Sequence, residues 1–63
     1  MSKFVIRCGP SFYVYDTSFL GDQCFPVLGE NIARASRYPF RPAWYIATAL
    51  KRVGYAAKVV AVR

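Results

Sequence analysis

The hydrophobic pattern changes period part-way along the chain. Lys3 to Cys8 reads KFVIRC, and Phe4, Ile6 and Cys8 alternate with Val5 and Arg7. A period of two marks a half-buried strand. Gly9-Pro10-Ser11 then supplies turn chemistry. Phe12 to Tyr15 resumes the alternation with aromatic and β-branched residues. Two strands joined by three residues predict a hairpin. From Pro42 to Val53 the period becomes helical. Ala43, Ile46, Ala47, Leu50 and Val53 fall at i, i+3, i+4, i+7 and i+10, which is one apolar stripe. Pro42 suits the first helical position, where the missing N–H costs nothing. Gly54 suits the left-handed position past the end. Lys51 and Arg52 stand in the last turn, favourable to the helix dipole. After Gly54, AKVVAV at 57–62 reads as a buried strand.

Two stretches are less regular. In segment 16–29, Asp16-Thr17-Ser18 and Gly21-Asp22 are turn residues, and Pro26 argues against a central strand. This predicts a long loop, or a short ragged strand, pinned by Phe19 and Phe25. Segment 31–37 fits a short helix with Ile32, Ala35 and Ser36 on one face and Arg34 and Arg37 outside. Glu30 would stand at its positive end. Pro39 and Pro42 separate it from the main helix. The order strand, strand, helix, strand predicts one domain, 1–63. Its class is α+β: a two-layer ββαβ fold with a three-stranded antiparallel sheet, order 2-1-3. The main helix spans about 42–53 and the short helix 31–37.

Composition sharpens this picture. Hydrophobic residues make up 56% of the 63. A chain this short buries only about 60% of its unfolded surface. One helix covers one sheet face, so the outer face, carrying Val5, Arg7, Tyr13 and Tyr15, needs a cover. The expected covers are a second copy of the chain, in a two-fold dimer, or segment 16–29.

Charge is unevenly placed. Residues 1–30 carry Lys3 and Arg7 against Asp16, Asp22 and Glu30, a net of −1, while residues 31–63 carry +7 and no acid. A basic half predicts an acidic partner: nucleic acid, an anionic membrane or an acidic protein face. There is no His, and Cys8 and Cys24 are sixteen residues apart, so no zinc-ligand spacing exists. No apolar leader run and no stretch near 18 apolar residues is present. This predicts a cytoplasmic protein with reduced thiols, a Cys8–Cys24 disulfide being the alternative.

ARASRYPFRP, the Ala-rich helix, Gly54 and KVVAV resemble a loose group of very small phage and prophage proteins. In that group a strand hairpin is followed by an "ARRF"-like segment, an Ala-rich helix and a Val-rich last strand. The resemblance spans residues 3–15 and 33–62. It implies a ββαβ fold and an accessory role, with no catalytic residues to carry over. This chain differs in having Phe40-Arg41 where the group has a Thr or Ser cap, and in lacking acids on the helix.

Three carboxylates, two thiols and no His give no nucleophile–base pair, and the glycines are scattered singles. The expectation is therefore a non-enzymatic protein with no cofactor and no metal. Two constellations remain as partner-binding candidates. One is the outer sheet face with Arg7, Tyr13 and Tyr15. The other is the basic, aromatic run Arg34, Arg37, Tyr38, Phe40, Arg41, Trp44 and Tyr45, continued by Lys51 and Arg52. Arginine among aromatics suits protein hot spots and equally suits phosphates with stacked bases. The leading expectation is a protein-interaction module whose partner is a second copy or an acidic host protein. The alternative is a nucleic-acid-binding module.

Overall fold

The computed structural model describes residues 3–62. Arg63, part of the basic half, lies outside the described residues. The chain runs β1 (Phe4–Cys8), β2 (Phe12–Leu20), β3 (Gln23–Gly29), a 3-10 turn (Ile32–Arg34), α1 (Phe40–Arg52) and β4 (Ala57–Ala61). The four strands form one antiparallel sheet in the order β3-β2-β1-β4. The expected order 2-1-3 survives inside it as β2-β1-β4.

The fourth strand corrects the sequence reading. Segment 16–29 is neither a loop nor a cover. Residues 16–20 extend β2, the two-residue turn Gly21-Asp22 reverses the chain, and β3 returns. Pro26 is tolerated because β3 is an edge strand, with no ladder needed on its free side. The register slips between Val14 and Asp16, which bulges the strand at Tyr15.

The helix begins two residues earlier than expected. Pro39 is its N-cap and Pro42 falls in the first turn, where backbone N–H groups have no intrahelical partner. At the other end the Gly54 N–H donates to the Lys51 carbonyl and the Tyr55 N–H to the Leu50 carbonyl. Those two bonds make a Schellman closure, and Gly54 has the positive φ (104°) it requires.

Ala43, Ile46, Ala47 and Leu50 are buried against the sheet, as their spacing predicts. Val53 is not; it is the C-cap and stays exposed. From the sheet, Ile6, Cys8, Val14, Cys24 and Ala57 complete this core, with Phe4, Leu28 and Val59 packed at its edge. Phe12, expected in this layer, is exposed and outside it. Ala57 and Val59 face the helix, so Lys58 and Val60 face away.

Part of the outer face of the sheet is covered by the chain itself, through the connector after β3 and not through segment 16–29. Val5 is fully buried yet lies outside the helix-side core, and Ala35 is buried likewise. The connector 30–39 crosses here. The Asn31 N–H donates to the Tyr15 hydroxyl at 2.9 Å, and the Ser36 N–H donates to the Val14 carbonyl at 3.1 Å. The Ser36 hydroxyl also donates to the Tyr15 carbonyl. Tyr38 then pairs with Phe4, N–H to O in both directions at 2.8 and 3.1 Å, filling the gap left where β2 diverges from β1. Only the short 3-10 turn is helical here, capped by the Asn31 side chain donating nothing and accepting from Ala33 N–H, rather than by Glu30. The expected helix at 31–37 fails because Ala35 is already extended (φ −65°, ψ 140°) and the chain must run straight to meet β1.

Candidate functional site

The helix has a second face. Arg41, Trp44, Tyr45, Thr48 and Arg52 fall at i, i+3, i+4, i+7 and i+11, opposite the buried stripe. A helix normally presents charged and polar residues on that side. Here the middle is aromatic: Trp44 is 57% and Tyr45 62% exposed. Phe40 extends the aromatic strip toward the N-terminus, with its ring edge-on to Phe4 at 5.3 Å. Arg41 stands at one end, and Lys51 and Arg52 at the other, all exposed.

The β2–β3 hairpin supplies the other wall. Its tip brings Phe19 beside Tyr45, ring centroids 6.1 Å apart. A groove of about 210 Å³ opens between them, floored by Ala49 and bounded by Asp22, Trp44 and Arg52. Leu20, 73% exposed, follows Phe19 in β2 and so falls on the opposite face of the sheet. Phe40, Arg41, Trp44 and Tyr45 enclose a second, mainly apolar hollow next to it. Asp22 is the only acid at this surface, so its charge is positive.

The candidate residues thus separate into two groups. Arg41, Trp44, Lys51 and Arg52 share the helix surface. Arg7, Tyr13 and Tyr15 lie on the outer sheet face, joined there by Arg34, whose guanidinium carbon is 5.8 Å from the Tyr15 ring centre. Arg37 is exposed on the connector and belongs to neither cluster. Tyr15 is not a free anchor. Its ring occupies the space a side chain at Gly29 would need, and its hydroxyl is bonded to Asn31. On the outer face the Tyr15 ring is thus engaged by the chain's own Gly29, Asn31 and Arg34. Tyr45 belongs to the basic, aromatic run read from the sequence, whereas Phe19 does not. The Gly21-Asp22 dipeptide between two β-prone stretches was the signal that could have placed Phe19 and Leu20 at a hairpin tip.

Cys8 and Cys24 are free thiols, both buried in the helix-side core. Burial raises both thiol pKa values, and the neighbouring Cys24 raises that of Cys8 further. Both are therefore poor nucleophiles. An intact-mass measurement without reductant should show two thiols, and a thiol reagent should react quickly only after denaturation. Because the folded state holds these protons longer than the unfolded chain, their contribution to stability is complete below about pH 8.5 and lost as pH rises further. The urea midpoint should fall as pH rises above about 8.5, and less so in Cys8→Ala/Cys24→Ala.

Among the described residues no group of three His, Cys, Asp or Glu is placed to hold a metal, and no helix is long and apolar enough to cross a membrane. No family model, curated protein or solved structure matches this chain.

Proposed function

We propose that this is a non-enzymatic protein-interaction module of phage-type accessory character, and that its partner is an acidic, apolar segment of another protein. The observation that carries this is the exposure of Trp44 and Tyr45 in the middle of the helix's outer face. Trp, Tyr and Arg dominate the energetics of protein interfaces, and the core of such a patch is depleted of charge. That is the arrangement here: aromatics at the centre, Arg41, Lys51 and Arg52 at the ends. A groove for nucleic acid would need cations running alongside the stacking rings. Arg34 and Arg37, which the sequence placed in one run with Trp44, are on the connector instead. Charge complementarity then selects an acidic partner over a second copy of a chain with net charge +6.

A random peptide display library selected on the folded protein tests this reading. The selected peptides should combine Asp or Glu with Leu or aromatic residues. Trp44→Ala should weaken their binding by about tenfold or more. Its dichroism should stay native, because the side chain is mostly in solvent. Peptides that bind Trp44→Ala equally well would overturn the proposal. Quenching of Trp44 by a single-stranded oligonucleotide, steeply weakened by salt, would replace it with the nucleic-acid reading.

A further inference from the structure

Arg7 lies away from the helix surface, on the outer face of the sheet. It is in register with Tyr13 on one side and with Lys58 on the other. Its neighbours Ile6 and Cys8 belong to the helix-side core, so Arg7 faces outward. Ala57 and Val59 fix Lys58 outward, and Val14 fixes Tyr13 outward, by the same alternation. The row across the sheet reads Lys58, Arg7, Tyr13, Gly29 and contains no acid. Side chains directly opposite on adjacent strands stand about 4.5–5.5 Å apart at Cβ, and like charges there repel. Two cations therefore face each other across the β1–β4 pair, without an acid between them. In addition, Arg7 Nε is buried and has no hydrogen-bond partner among the described residues. A buried donor left unmade is costly, and native structures rarely tolerate one. Both features have the same remedy, an oxyanion held between the two side chains.

From this we infer that Lys58, Arg7 and Tyr13 form a binding site for a phosphate group. The guanidinium fork of Arg7 matches two oxygens of a tetrahedral anion, and a side-chain rotation that uncovers Nε would give it an acceptor. The Lys58 ammonium, on an exposed stem, reaches a third oxygen, and the Tyr13 hydroxyl donates from the opposite side. A dianion suits two cations better than a single carboxylate does. Arg34, above Tyr15 on this same face, adds positive potential. The site is separate from the helix surface and does not depend on the function proposed for it. A phosphate monoester and a phosphodiester backbone present the same chemistry here.

The test is a titration of the ¹⁵N-labelled full chain with sodium phosphate at constant ionic strength, followed at the Arg7 Nε–Hε signal. That signal should shift with saturation, together with the amides of Arg7 and Lys58. Lys58→Gln should weaken binding by about tenfold, the worth of one hydrogen bond to a charged group. Lys58→Glu should abolish it and raise the melting temperature, because the new carboxylate supplies Arg7 with an internal partner. Lys58 is exposed, so neither variant threatens folding. Shifts that grow linearly, or that occur equally around Lys51 and Arg52, would reduce the effect to general screening and overturn the inference. Unchanged binding in Lys58→Glu would also overturn it. Repeating the titration with a short single-stranded oligonucleotide distinguishes the sources: a backbone site binds it more tightly than free phosphate, a monoester site does not.

Discussion

Leu50→Ala is expected to remove about 2–5 kcal/mol of folding stability. Leu50 is fully buried in the core between α1 and the sheet. Removing its branched end leaves a cavity that the surrounding alanines cannot fill. Ala43, Ala47 and Ala49 have no side-chain length to move inward. The backbone is constrained as well, because the Leu50 carbonyl receives the N–H of both Val53 and Tyr55 in the Schellman closure. Small domains have total stabilities near the lower end of about 5–15 kcal/mol. The variant should therefore be partly unfolded without denaturant, with a urea midpoint far below wild type. Val53→Ala is the matching control. It lies on the expected stripe but is 41% exposed, so its cost should be small. A loss under about 1 kcal/mol for Leu50→Ala would mean that α1 is not docked through this stripe.

Gly29→Ala is expected to cost about 1–3 kcal/mol, and through a different layer. Gly29 has ordinary backbone angles, so conformation is not the issue. The difficulty is space: a methyl group there would coincide with the outer end of the Tyr15 ring. The ring must move, which breaks the bond from Asn31 N–H to the hydroxyl and withdraws the face beneath Arg34. The connector is thereby loosened from β2, to which Asn31 and Ser36 bond it. A double-mutant cycle separates this mechanism from a generic glycine effect. In a Tyr15→Ala background, Gly29→Ala should cost almost nothing in urea denaturation. Additive losses would show that Gly29 matters for some reason other than the ring.

These two predictions reflect how differently the two layers could be read from sequence. The helix-side layer was legible because its signals are local. The apolar stripe, Gly54 and the alternation in Phe4–Cys8 each specify their own conformation, and they agree with one another. Segment 16–29 was not legible, since Asp16, Thr17, Ser18 and Pro26 all carry local preferences for turns. Strand pairing overrides those preferences on an exposed hairpin with an edge position for the proline. The outer cover was hidden for another reason. Tyr15, Gly29 and Asn31 meet only after the hairpin has formed, and nothing in their spacing announces it. The site divides the same way. Arg41, Trp44 and Arg52 share a helix face by their numbering alone, whereas Phe19 reaches Tyr45 only through the tertiary fold.

The central claim is that the open apolar surface of this protein is the helix's outer face, whereas on the sheet's outer face the connector packs on Tyr15. Hydroxyl-radical footprinting of the free protein tests it most directly, because Tyr45 and Tyr15 carry the same side chain and differ only in environment. Tyr45 is 62% exposed, whereas Tyr15 is half-buried on Gly29. The predicted result is rapid oxidation of Tyr45, Trp44 and Phe19, with Tyr15 several-fold slower and Val5 untouched. Rapid oxidation of Tyr15 and Val5, with Tyr45 protected, would contradict it.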